Sequence, residues 1–127
     1  MSILGHGIDL VETQRLAQLL DRHRMRFLDR CFTPSEQAYA QANVKRQLEH
    51  LAARFAAKEA VLKALGTGWR DGIAWTDIEV VREPSGRPVL RLTGQALRIA
   101  NELGIRSWIL SLTHTPNYAM ASAIARG

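Results

Sequence analysis

The run from Val44 to Leu65 constrains this chain more than any other feature. It is rich in Ala, Leu, Lys, Glu and Arg, all good helix formers, and it stops at Gly66-Thr67-Gly68. One long helix in the middle of the chain is therefore expected. Leu48, Leu51, Phe55 and Leu62 form its apolar stripe. With Phe55 as zero, and about 100° per residue, Glu59 falls near +40° and Leu62 near −20°. Glu59 thus stands at the edge of the stripe, where a carboxylate needs a cation or strong donors to offset its desolvation. Lys63, one turn on, would answer that need. A metal ion shared with a second carboxylate would answer it too.

The segments on either side read as mixed structure. Ile3 to Leu10 has strand alternation, with Leu4, Ile8 and Leu10 on one face and Gly5, Gly7 and Asp9 on the other. The glycines leave room for something to approach the backbone. Thr13 to about Arg30 reads as an amphipathic helix, with Leu16, Leu19, Leu20, His23, Phe27 and Cys31 at helical spacing. Thr33-Pro34-Ser35-Glu36 has the pattern of a capping box with proline at the first helical position, which predicts a short helix to about Ala42. Asp77 to Arg82 and Pro88 to Thr93 read as a hairpin, Gln95 to Leu103 as a helix closed by Gly104, and Ser107 to Thr113 and Tyr118 to Ala125 as a second strand pair. The fold class is α+β: an antiparallel sheet packed against a long central helix, in one domain over residues 1–127.

Bulk properties narrow the chemistry. The single cysteine, Cys31, allows no intrachain disulfide and no cysteine-based zinc site, and its apolar surroundings mark it as a buried small hydrophobe. No segment is long and apolar enough for a membrane span, and the first residues lack a secretory pattern, so a cytoplasmic protein with no membrane partner is expected. A net charge of +5 on 127 residues favours an acidic partner: nucleic acid, a phosphorylated cofactor or an acidic protein.

Asp9 stands on a strand face left open by glycines. With Glu59 it offers two hard oxygen ligands on two rigid elements, which suits magnesium, an ion that takes one or two protein carboxylates and fills its shell with water and phosphate. Taken alone, Asp9 also suits a cap for the following helix. Gly66-Thr67-Gly68 lacks the Gly-Lys-Ser/Thr ending of a Walker motif and reads first as a helix stop. In Ser111-Leu112-Thr113-His114-Thr115, Ser111, Thr113 and Thr115 share one face and His114 takes the other, where it suits a hydrogen-bonded histidine near a turn and, equally, a hydrogen-bond donor to phosphate or a base. No Gly-x-Ser-x-Gly elbow is present.

Four segments, in order, resemble the small carrier-protein-synthase type of the 4′-phosphopantetheinyl transferase family. They are Gly7-Ile8-Asp9-Leu10-Val11-Glu12, Phe32-Thr33-Pro34-Ser35-Glu36, Arg54-Phe55-Ala56-Ala57-Lys58-Glu59-Ala60 running on to Gly68, and Ser111-Leu112-Thr113-His114-Thr115. The central block is the most specific. The resemblance implies the fold of that family and magnesium-dependent transfer of phosphopantetheine from coenzyme A to a serine of an acyl carrier protein, with release of adenosine 3′,5′-bisphosphate. It implies Asp9 and Glu59 as magnesium ligands and Lys63 near the pyrophosphate, these three being the catalytic set. Arg54 and His114 become candidates for the 3′-phosphate. Gly66, Thr67 and Gly68, the turn Gly86-Arg87-Pro88, and Ser111 would help form the coenzyme slot. The base for the serine is left among Glu59, a metal-bound water and Glu36.

The family is typically a homotrimer with active sites at subunit boundaries. Ile109, Leu110, Leu112, Met120, Ala121 and Ala123 leave the last strand pair apolar on both faces, which fits an oligomer. On the first helix, Arg15, Arg22, Arg24 and Arg26, with Met25 as an apolar contact, would dock an acidic carrier protein. The competing reading is a basic nucleic-acid-binding module without enzymatic activity. Against it, aromatic residues are only 6% of the chain, so no stacking platform stands out, and Asp9 and Glu59 go unexplained. No nucleic-acid partner is therefore expected.

Overall fold

A computed structural model describes residues 2–68 and 72–127. The elements follow the order β1 (Ile3–Glu12), α1 (Thr13–Cys31), α2 (Pro34–Gln41), α3 (Gln47–Leu65), β2 (Ile78–Arg82), β3 (Pro88–Leu92), α4 (Gly94–Glu102), β4 (Ser107–His114) and β5 (Tyr118–Arg126). Among the described residues, five strands form two antiparallel sheets rather than one: a three-stranded sheet in the order β1-β5-β4, and the β2-β3 hairpin.

The long helix begins later than its composition predicts. Val44–Arg46 form a turn of 3₁₀ helix, and Arg46 (φ −115°, ψ 17°) breaks the path before α3 starts at Gln47. It ends at Gly66, whose φ of 79° is the left-handed conformation that glycine adopts without a Cβ penalty. Nor is α3 amphipathic in the simple sense. It is buried on almost every side, and Phe55, Glu59 and Lys63 mark its one less covered line. Glu59 therefore stands on the open line of a core helix, not at the rim of a single stripe.

Ala56, Ala60 and Val61 of α3 share one core with Ala121, Ala123 and Ala125 of β5, Ile78 and Val80 of β2, and Ala96 and Ala100 of α4. Leu16, Leu20, Leu28, Phe32 and Leu51 form a second, between α1, α2 and the first half of α3. The small alanines let the sheet lie close to the helix, and on β1 the approach is closer still. A Cβ on Gly7 would stand 1.8 Å from the Ala60 carbonyl oxygen, and one on Gly5 2.2 Å from that of Ala64. The glycine face is thus filled by the backbone of α3. The apolar residues on the other side of β1, Leu4, Ile8 and Leu10, are exposed.

α1 contains one break. His23 leaves helical geometry (φ −141°, ψ 37°), and Leu28 and Cys31, not His23 and Phe27, are the fully buried residues beyond it. Burial pushes the Cys31 thiol up to about 11, as suits an inert core residue. The capping box of α2 forms as its sequence predicts: Thr33 Oγ1 accepts from Glu36 N and Thr33 N donates to Glu36 Oε1. No helix among the described residues is long and apolar enough to cross a membrane.

Candidate active site

Asp9 and Glu59 meet because β1 lies against α3. Asp9 follows Gly5 and Gly7 on the inward face and pairs with Ala121 of β5, so the close packing upstream carries its carboxylate to the open line of the helix. Both carboxylates line a groove of about 410 Å³, with Arg15, Leu16 and Leu19 of α1, Phe55 of α3 and Tyr118 of β5. Lys63 does not pair with Glu59. Its Nζ donates to Asp9 Oδ1 at 3.1 Å and to the Ile8 carbonyl at 2.9 Å, tying the end of α3 to β1. Burial first, and the Asp9 carboxylate second, push Glu59 above the usual carboxylate range, while Lys63 and Arg15 pull it back.

Two half-buried carboxylates that repel each other, with only one firmly tied to a cation, are a donor set that a hard dication would relieve. Among the described residues no three metal-ligating side chains come together. Two suffice for magnesium, which keeps several non-protein ligands.

Arg54 lies elsewhere. Five residues before Glu59, it is turned about 140° around the helix. Its guanidinium is buried, stacks 4.1 Å from the centre of the Tyr39 ring, and donates from Nη1 to the His50 carbonyl. Burial lowers its pKa, with Tyr39 opposing, and it remains a cation. His114, at the end of β4, belongs to the same side: its ring packs edge-on to His50, and its Nδ1 donates to Glu49 Oε1 at 2.8 Å. Arg82 also faces the Tyr39 ring and donates to the Gly86 carbonyl, which brings the Gly86-Arg87-Pro88 turn alongside. The structure thus gathers the predicted residues into two groups around α3. Asp9, Glu59, Lys63 and Arg15 form one, and Arg54, His114 and the Gly86 turn the other.

Gly66 and Gly68 both adopt left-handed φ beyond Lys63, with Thr67 Oγ1 donating to the Gly68 carbonyl. Ser111 points out of the exposed sheet face, away from His114. Glu36 is not available as a base. It is fully buried, accepting from Lys58 Nζ, Thr33 N and Val80 N. Arg22, Arg24, Met25 and Arg26 are all exposed along α1. Sequence reasoning missed Tyr39, His50 and Arg82. Helical spacing could have found His50, one turn before Arg54; the other two come from separate elements and carry no local signal.

A family model described as "4′-phosphopantetheinyl transferase superfamily" matches residues 5–122. A holo-[acyl-carrier-protein] synthase of Koribacter versatilis is 52% identical over 122 residues, covering 96% of this chain and 97% of the relative. One from Trichlorobacter lovleyi is 49% identical, covering 96% of each. Among solved structures, holo-[acyl-carrier-protein] synthase from Neisseria meningitidis superposes with a TM-score of 0.88 at 31% identity, over 99% of this chain and 100% of that one. The Helicobacter pylori enzyme in complex with coenzyme A gives 0.83 at 29%, over 95% and 99%.

Proposed function

The chain belongs to the 4′-phosphopantetheinyl transferase superfamily, and from that premise we propose that it is the holo-acyl-carrier-protein synthase of its cell, acting as one domain in the cytoplasm. The observation that carries this reading is the Asp9–Glu59 pair lining the groove, with Lys63 and Arg15 beside it. Asp9 and Glu59 would hold Mg²⁺. When bound, that ion would offset charge on the pyrophosphate of coenzyme A.

Lys63, fixed by Ile8 and Asp9, places an ammonium next to that charge. The carrier serine oxygen forms a bond to the β-phosphorus, and the bond from that phosphorus to the bridging oxygen breaks. Adenosine 3′,5′-bisphosphate leaves with the bridging oxygen. Glu59 is the carboxylate placed to take the serine proton, directly or through water. Arg54 and His114 hold the 3′-phosphate, and the turns Gly66–Gly68 and Gly86–Pro88 border the coenzyme.

These two groups lie on different sides of α3, so we assign each active site to two copies of the chain in a homotrimer. The exposed apolar face of the three-stranded sheet, with Ile8, Leu10, Ile109 and Met120, is the surface such an assembly would cover. Glu59→Gln and His114→Ala proteins, each nearly inactive, should recover activity when unfolded and refolded together, to about a quarter of wild type if subunits mix at random. No recovery would place the whole site in one copy.

The decisive experiment incubates the protein with coenzyme A, magnesium and an apo carrier protein, and weighs the carrier. The carrier should gain one phosphopantetheine, and lose that gain with chelator or with Glu59→Gln. No gain on any acidic carrier would overturn the reading. In the same assay Arg22→Glu with Arg26→Glu should raise the carrier KM about tenfold at low salt and leave the coenzyme KM unchanged, because the exposed arginines of α1 dock the carrier. An unchanged carrier KM would remove the docking surface.

A further inference from the structure

Asp9 is the carboxylate assigned to Mg²⁺ and Lys63 the ammonium assigned to the pyrophosphate, yet the two side chains hold each other. Lys63 Nζ donates to Asp9 Oδ1 at 3.1 Å and to the Ile8 carbonyl at 2.9 Å. Two of the three ammonium donors are thus engaged on β1.

The pair has the geometry of an exchangeable contact. The Lys63 side chain is 53% exposed and that of Asp9 16%, so the carboxylate is held in place while the lysine tip stands at the solvent edge. Behind it the backbone is fixed, because Gly66 N donates to the carbonyls of both Leu62 and Lys63, and motion is confined to the side chain. An ion pair this open is weak. Glu59 feels Lys63 only through the field: burial and the Asp9 charge push it above the usual carboxylate range, and Lys63 and Arg15 oppose them.

A dication held by Asp9 and Glu59 would share the Asp9 carboxylate with the ammonium. Like charges on one carboxylate repel, so dication and ammonium compete for it. An oxygen of a pyrophosphate offers the ammonium a charged acceptor in its place.

We propose that Lys63 is a latch on the metal position. It keeps its bond to the Ile8 carbonyl and exchanges Asp9 for an oxygen of the coenzyme's pyrophosphate, and that exchange clears Asp9 for the dication. Coenzyme A draws the ammonium off Asp9 and so favours the metal. The metal, by taking Asp9, frees the ammonium and so favours the coenzyme. The two therefore bind cooperatively. The latch rests on the transferase reading and adds to it a coupling between the two ligands.

The test is Mn²⁺ titration of the full chain in its native assembly, with and without coenzyme A, followed by the electron paramagnetic resonance signal of the free ion. Mn²⁺ takes the same oxygen ligands as Mg²⁺. Coenzyme A should tighten Mn²⁺ binding by wild type. Lys63→Met, which keeps the stem and removes the charge, should bind Mn²⁺ alone about tenfold more tightly than wild type, and the effect of coenzyme A on Mn²⁺ should fall by about the same factor. Lys63→Arg keeps the charge and should bind Mn²⁺ alone within about threefold of wild type. Unchanged or weaker binding of Mn²⁺ alone by Lys63→Met would overturn the latch, because a lysine that merely positions Asp9 helps the metal. A coenzyme effect as large in Lys63→Met as in wild type would overturn it too. Either result leaves the transferase reading standing. A wild-type chain that binds no Mn²⁺, with or without coenzyme A, sinks both.

Discussion

Gly7→Ala should unfold about 10 °C below wild type and transfer almost no phosphopantetheine. The new Cβ would stand 1.8 Å from the Ala60 carbonyl oxygen, 2.8 Å from its carbon and 2.9 Å from Ala64 N. All three are backbone atoms of a helix buried on nearly every side, so no side chain can swing away to make room. β1 and α3 must separate, which breaks the packing that carries Asp9 to Glu59 and Lys63. Overpacking of this kind costs about 3 kcal/mol, or about 10 °C in Tm for a chain of this size. The effect on transfer should exceed the effect on stability, because placing the two carboxylates depends on that contact. Thermal unfolding and the carrier mass assay would measure each. A Gly7→Ala protein with wild-type Tm and activity would show that β1 and α3 are not in backbone contact at this point.

Lys58→Met should be the most destabilising single change in the central helix. Lys58 and Glu36 are both fully buried. The ammonium donates to Glu36 Oε1 at 2.8 Å, to the Trp75 carbonyl at 3.2 Å and to the Ile78 carbonyl. Glu36 in turn accepts from Thr33 N and Val80 N, so this one pair joins α2, α3 and β2. Burial pulls the Lys58 pKa down, with Glu36 opposing, which is the mark of a charge that stays buried only because its partner is there. Removing the lysine strands a carboxylate in the core at a cost of about 3–5 kcal/mol, much of the stability of a typical domain. The double change Glu36→Gln with Lys58→Met should cost less than Lys58→Met alone, since no buried charge is then left unpaired. Denaturant unfolding of the two variants decides it. A double variant no more stable than Lys58→Met would mean that the lysine acts through its two carbonyl contacts and not through Glu36.

Much of the architecture around these two contacts is legible in the chain itself. Every helix and strand lies within a few residues of where pattern and capping put it, because those signals are local. The capping box at Thr33, the glycine stops at Gly66 and Gly104, and the alternation of β4 and β5 each need only their own neighbours. Asp9 and Glu59 are legible as a pair for a similar reason. A carboxylate at the edge of an apolar helix and another on a glycine-rich strand are costly unless they serve a cation.

What covers each face depends on packing. On β1 the ordinary expectation, apolar side inward, is inverted. Gly5 and Gly7 turn in because the backbone of α3 needs their empty space, and Leu4, Ile8 and Leu10 are left outside. Lys63 takes Asp9 over Glu59 because β1 brings a carboxylate and a carbonyl within reach together, which one turn of helix cannot match. The cluster around Tyr39 leaves no trace in the chain, since its members come from α2, α3 and β2 and meet only when those elements pack. The elements, the family and the two neighbouring carboxylates are thus written in the order of residues, through interactions a few positions in range. Which charges are paired, which donors are left over and which apolar face waits for cover are settled by the packed chain alone, because burial and long-range contact do not exist until it has folded.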